Sequence, residues 1–222
     1  MLPRLPIFPL SVVLFPGTTL PLHIFEPRYR RMLSDCLAGD RRFGITTVGN
    51  SGEAPEPGTV GCVAEVRVNQ ELPDGRSNIV VLGGLRFVVH RLIPDAAPYL
   101  MATVETFDDD PDTHPDEDRA GHLRTVLLHY QELRRNLHDV EPEESEVPAD
   151  TVGLSFHAAA AADCDLSIKH RLLTERSTAR RVESLLLLLP VLASAAERAL
   201  EVHRRAHTNG KGVAPSGLAA DP

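Results

Sequence analysis

Tryptophan is absent from the 222 residues, and only three cysteines and three tyrosines occur. Cys36, Cys62 and Cys164 are odd in number, widely separated and never in a CxxC pair. That spacing argues against a disulfide framework and offers no zinc-ligand pattern, so they read as buried free thiols in a reducing compartment. Long hydrophobic runs are missing too. The most apolar stretch, Ser184 to Ala196, is bracketed by Glu183 and Glu197 and is about half the roughly 20 residues that a spanning helix requires. The opening MLPRLPIFPL places prolines where a signal peptide needs an unbroken apolar segment. A soluble, cytoplasmic chain without membrane contact is expected.

Catalytic signatures are also lacking. The Gly210-Lys211 pair is followed by Gly212, which excludes a phosphate-binding P-loop there. Gly49 to Glu53 and Gly153 to His157 both fail the nucleophile elbow at its fifth position. Ser155 and His157 stand two apart in a helical pattern, so their side chains diverge and make no catalytic pair. His23, between Leu22 and Ile24, reads as a surface-facing or hydrogen-bonded structural histidine. No catalytic residue, metal site or cofactor is expected.

What the chain does have begins with Leu5 to Tyr29, LPIFPLSVVLFPGTTLPLHIFEPRY. Its prolines break any single helix and leave strand, turn and strand, with Pro16-Gly17 as the turn and Leu20, Leu22 and Ile24 alternating toward a core. Pro27 opens a helix to about Ala38, capped by Gly39. Five arginines (Arg28, Arg30, Arg31, Arg41 and Arg42) surround it. Strands follow at Phe43 to Val48, at GCVAEVRVNQE with Cys62, Ala64, Val66 and Val68 on one face, and at Asn78 to Gly83, Arg86 to Leu92 and Leu100 to Phe107. Gly83-Gly84 breaks one run, giving about seven strands and an antiparallel, barrel-like sheet.

Residues 1–107 carry ten Lys/Arg against ten Asp/Glu, whereas residues 108–118, DDDPDTHPDED, hold seven acids and no base. Neutrality of the first part argues against a nucleic-acid footprint. Pro111 and Pro115 interrupt any EF-type calcium register, so the acidic run reads as a solvated linker and the best domain boundary. Beyond it the period becomes 3.6. A stripe from Leu123 to Leu137, a helix from Val147 to Ala162, another from Asp165 to Glu175 and a last one from Ser177 to about Ala206 are expected, with Asp165 and Ser177 as N-caps. The division is a β-rich part at 1–110, a helical bundle at 119–207 and a disordered tail at 208–222.

Taken together, P-L/FPG/PLHIFEPRY, LPDG and GGLRF resemble the substrate-binding domain at the N-terminus of Lon proteases, and LSIKHRLLTERSTARRVESLLLLL is similar to that family's helical ending. The resemblance implies an α+β protein: a PUA-like β pseudobarrel with one helix, followed by a helical bundle. Neither the ATPase P-loop nor the Ser-Lys dyad of full-length Lon occurs in this sequence, so no ATPase or proteolytic activity is expected. The expected role is a non-catalytic protein-recognition module, an adaptor or competitor in protein quality control. Its partners would be exposed polypeptide segments or protease and chaperone components, and its oligomeric state stays open. Phe25, Arg28, Tyr29 and Arg86 are the candidate contacts. The competing structural roles are aromatic staples for Phe25 and Tyr29, and partners of Glu26 or other acids for Arg28 and Arg86. RNA binding by a PUA-like protein is the alternative, with the arginines around the first helix as its site.

Overall fold

A computed structural model describes residues 3–48, 54–111, 115–138 and 147–209. Six strands and one helix come first: β1 (Arg4–Leu10), β2 (Thr19–Ile24), α1 (Pro27–Ala38), β3 (Arg42–Thr47), β4 (Val60–Glu71), β5 (Ser77–Ile93) and β6 (Leu100–Phe107). Four helices follow: α2 (Glu117–His138), α3 (Thr151–Ala161), α4 (Leu166–Thr174) and α5 (Thr178–Asn209). Of the tail expected at 208–222, residues 208 and 209 belong to α5 and residues 210–222 lie outside the described residues, as do residues 49–53.

The strands run in the order β2-β5-β4-β3-β1-β6, and β5 also pairs with β6. That second pairing closes β5, β4, β3, β1 and β6 into a ring, and β2 lies outside it along the first half of β5. The expected barrel is therefore present, but its sheet is mixed, since β1 runs parallel to β3 from Ile7↔Gly44 to Leu10↔Thr47. A parallel pair needs a crossover, and α1 lies within the connection from β1 to β3. One lone crossover does not produce the repeated strand-helix alternation that signals parallel strands in a sequence.

Gly83-Gly84 does not end a strand, so six strands stand where about seven were counted. β5 passes through both glycines, and a Cβ on Gly83 would sit 2.0 Å from the carbonyl oxygen of Phe15. The glycine thus lets the β1–β2 connection pack onto β5, where Gly83 donates to Thr18 O at 2.8 Å and Gly17 donates to Gly83 O at 2.9 Å. Gly17 itself has φ +72°, as the Pro16-Gly17 turn requires. Val68 departs from the expected inward face and is 53% exposed, because the β4–β5 register shifts between Val66 and Val68. Gly39 caps α1 through its N–H to Cys36 O, but the left-handed residue after that helix is Arg41, at φ 63°.

Inside the ring, Phe87 is fully buried with Ile7, Val89, Ala102 and Val104 around it. Gly44 and Gly61 make room for it, since a Cβ on either would lie 2.5 Å from Phe87 Cζ. Buried Thr46, two residues from Gly44, has a hydroxyl with no hydrogen-bond partner among the described residues. Replacing it with valine removes an unsatisfied polar atom at nearly constant shape. Thr46→Val is expected to stabilise the protein by about 1 kcal/mol in urea titration. A destabilisation would show that the hydroxyl is satisfied.

A second, larger core runs without interruption from the barrel (Phe43, Cys62, Val66) through α1 (Tyr29, Met32) into the helices (Leu127, Leu154, Leu185). α2 contributes Leu123, Leu127, Tyr130 and Leu133, all on the expected stripe. α3 begins at Thr151 and not at Val147, because Asp150 caps it by accepting the Gly153 N–H at 2.7 Å. Ser177 caps α5 through its hydroxyl to the Arg180 N–H, whereas Asp165 stands at the N-cap of α4 without a side-chain bond. Pro190 is accommodated inside α5.

Candidate functional site

The barrel and the helices meet over a buried ionic cluster. Arg86 on β5 and Arg181 on α5 are 2% and 0% exposed, and both bind the carboxylate of Asp109, just past β6. Arg86 also donates to the carbonyls of Leu173 and Glu175 at 2.9 and 2.8 Å. Arg181 donates to Ser155 Oγ at 2.8 Å and to Glu175 O at 2.8 Å, and Thr178 donates its hydroxyl proton to Asp109. The two guanidiniums cover the Phe156 ring at 3.8 Å (Arg181) and 5.2 Å (Arg86) from its centroid. Burial lowers the Arg86 pKa, with the Asp109 charge opposing it. Burial alone would raise the Asp109 pKa, but hydrogen bonds from Arg181 and Thr178 outweigh it and hold the carboxyl below its ordinary value.

This arrangement corrects the reading of the acidic run as purely solvated linker. Asp109 anchors it, and Asp110 pairs with Arg176 at 2.9 Å. Sequence spacing also missed Arg181. The usable signal was its place four residues before Leu185, which puts a charge on the apolar stripe of α5. Ser155 and His157 do not pair: Ser155 Oγ donates to Val152 O, and His157 contacts Gln131 at 3.2 Å.

Beside this junction lies a groove of about 340 Å³ between the β1–β2 connection and the α3–α4 turn. Val12, Leu14 and Leu20 line one wall and Ala160, Cys164 and Leu166 the other. Val12 and Leu166 are large apolar side chains left open to solvent. Two charged residues line it as well: Lys169 donates to Ala160 O, and Asp163 pairs with Arg134. Burial raises the Cys164 thiol and pushes Cys36 and Cys62 up to about 12, so all three stay protonated near neutrality and supply no thiolate.

The groove ends on β2, the terminal strand of the sheet. Gly83 donates to Thr18 O, and antiparallel alternation from that bond turns the backbone of Thr19, Pro21 and His23 to the open edge. Pro21 lacks a donor, so this edge offers three carbonyls and two N–H groups. At its far end Phe25 is 58% exposed and stacked on His23, whose Nδ1 meets Asn78 Oδ1 at 2.7 Å. The strand spans about 20 Å at ~3.3 Å per residue.

The four expected contact residues separate accordingly. Phe25 is open, and the half-exposed Arg28 is bound to Glu26 at 3.0 Å and set over the Tyr29 ring. Tyr29 is buried with its ring 4.1 Å from that of Phe8. Arg86 lies in the ionic cluster, remote in role from any exposed surface. Of the arginines around α1, Arg31 pairs with Asp35 and Arg41 donates to Val66 O. Among the described residues no His/Cys/Asp/Glu group could hold a metal ion, and no helix is long and apolar enough to cross a membrane.

Residues 4–190 match the model of the ATP-dependent protease La (LON) substrate-binding domain. The Lon protease of Cytophaga hutchinsonii is 26% identical over 92% of this chain but 26% of its own length. That of Parabacteroides distasonis is 30% identical over 51% of the chain and 14% of its own length. The chain thus spans about a quarter or less of these curated relatives. Two solved structures share the fold. The Lon N-terminal domain protein from Xanthomonas campestris has a TM-score of 0.61 and 24% identity, covering 83% of this chain and 98% of that one. The N-terminal domain of Mycobacterium avium complex Lon protease has a TM-score of 0.64 and 16% identity, covering 85% and 98%. With the match extending from β1 into α5, the chain belongs to the Lon substrate-binding domain family.

Proposed function

We propose that this chain is a non-catalytic recognition module that holds extended, apolar polypeptide segments along the open edge of β2. The observation that carries this reading is one continuous line of features. A groove with apolar side chains on both walls opens at Leu20, a strand edge unpaired among the described residues follows, and an exposed aromatic stands at Phe25. Backbone carbonyls and amides on the edge would bind any extended segment regardless of sequence, while the groove and Phe25 would favour apolar side chains. Such a preference selects unfolded chains, which suits an adaptor in protein quality control. Arg28 would contribute its stem, held over the Tyr29 ring. Arg86 holds the two halves together and makes no ligand contact.

Phe25→Ala tests this directly. The side chain is 58% exposed, so its removal leaves the core intact. Affinity for a reduced, carboxymethylated polypeptide is expected to fall about tenfold, or ~1.4 kcal/mol, with the melting temperature unchanged. Unaltered affinity, read by fluorescence anisotropy of the labelled polypeptide, would remove Phe25 from the site.

A further inference from the structure

A second recess shares no residue with the junction groove. It opens where β1, β3, β4, β5 and β6 come together and has a volume of about 290 Å³. Its floor is aliphatic, made of Leu5, Val63, Leu85 and Val104, and Leu85 is 52% exposed. Arg4 and Arg42 stand at its rim, both exposed, and neither has a carboxylate partner among the described residues. Two acids, Asp40 and Glu65, line the recess as well, but neither is ion-paired with Arg4 or Arg42. Glu65, opposite Arg42 in the β3–β4 register, pairs with Arg67 at 3.1 Å, and Asp40 Oδ1 accepts the Arg42 backbone N–H.

An aliphatic floor beside two guanidiniums that hold no carboxylate fits a ligand with an apolar body and one carboxylate at its end. The volume admits about one large residue, below the usual range for drug-sized ligands. A polypeptide carries a large apolar side chain and a carboxylate on one and the same residue only at its C-terminus. We infer that this recess binds the C-terminal residue of a polypeptide, taking an aliphatic or aromatic side chain on Leu5, Val63, Leu85 and Val104 and the free α-carboxylate at Arg4 and Arg42. The inference rests on the polypeptide-recognition reading and adds a second point of capture, specific for a chain end, to the sequence-tolerant edge of β2.

The test uses the full chain and two dye-labelled peptides of one uncharged sequence ending in leucine, one a free acid and one a C-terminal amide. Anisotropy is expected to show the acid bound at least about tenfold more tightly, the loss typical of a charged hydrogen-bonded pair. The double variant Arg4→Gln/Arg42→Gln is expected to erase that difference, and Leu85→Asp, on an exposed side chain, to abolish binding of the acid. Equal affinity of the native chain for acid and amide, or undiminished binding by Leu85→Asp, would overturn the inference. A reduced, carbamidomethylated polypeptide amidated at its C-terminus, whose cysteine caps carry no charge, separates the two readings. If it binds while acid and amide are equal, only the C-terminal site fails; if it does not bind, the β2 edge fails.

Discussion

Asp109→Ala is expected to destabilise the protein by about 3–5 kcal/mol, the range for removing one partner of a buried ion pair. The change leaves Arg86 and Arg181, both essentially without solvent contact, facing one another with no carboxylate between them. Their remaining bonds to the carbonyls of Leu173 and Glu175 and to Ser155 cannot neutralise two cations. Urea unfolding followed by circular dichroism gives the magnitude, and Asp110→Ala is the control. Asp110 pairs with an arginine that is half exposed, so its loss is expected to cost no more than about 1 kcal/mol. Equal, small effects of the two substitutions would mean that the acidic connector is not anchored at Asp109. The pH dependence has a definite sign. A carboxyl whose folded pKa lies below its unfolded value adds stability above the unfolded pKa of about 3.8, and that stability is lost as pH falls through the folded value. The carboxylate therefore contributes fully above about pH 3.8, and its contribution declines as the solution is made more acid than that.

Gly83→Ala is expected to cost about 3 kcal/mol or more, since overpacking against backbone leaves little room to relax. The new methyl would lie 2.0 Å from the Phe15 carbonyl oxygen and 2.8 Å from its carbon, so the β1–β2 connection must move as a unit. That displacement would break the paired bonds from Gly17 to Gly83 O and from Gly83 to Thr18 O, which set the register of β2 on β5. Polypeptide binding should then fall with stability. Gly84→Ala next door meets only Val63 atoms at 3.5 Å or beyond and should be tolerated. Similar melting temperatures for the two variants would contradict the close approach at Gly83.

Most of the fold was legible because the local signals are strong. Pro27 marks the start of α1, Pro16-Gly17 the first turn, and the stripe from Leu123 to Leu133 the buried face of α2. Ring closure was less legible, since pairing of β5 with β6 beyond Gly83-Gly84 and of β1 with β3 depends on contacts that no short window contains. The candidate site divides in the same way. Phe25 and Tyr29 read alike in the sequence, as contacts or as aromatic staples, and exposure is what distinguishes Phe25 from Tyr29 four residues later. Arg86 and Arg28 look alike in sequence, but one is buried against Asp109 and the other lies half open beside Glu26. Asp109 was hidden among six other acids of its run, because only its distance to Arg86 and Arg181 sets it apart.

The most direct measurement of the recognition mechanism is hydrogen–deuterium exchange of the β2 segment, residues 18–26, with and without a saturating reduced, carboxymethylated polypeptide. An added strand would occupy the outward N–H groups of Thr19 and His23, so slower exchange confined to this segment and the groove walls is the expected result. Binding with no change of exchange in residues 18–26 would contradict capture on the open edge of β2 and move the polypeptide site elsewhere on the molecule.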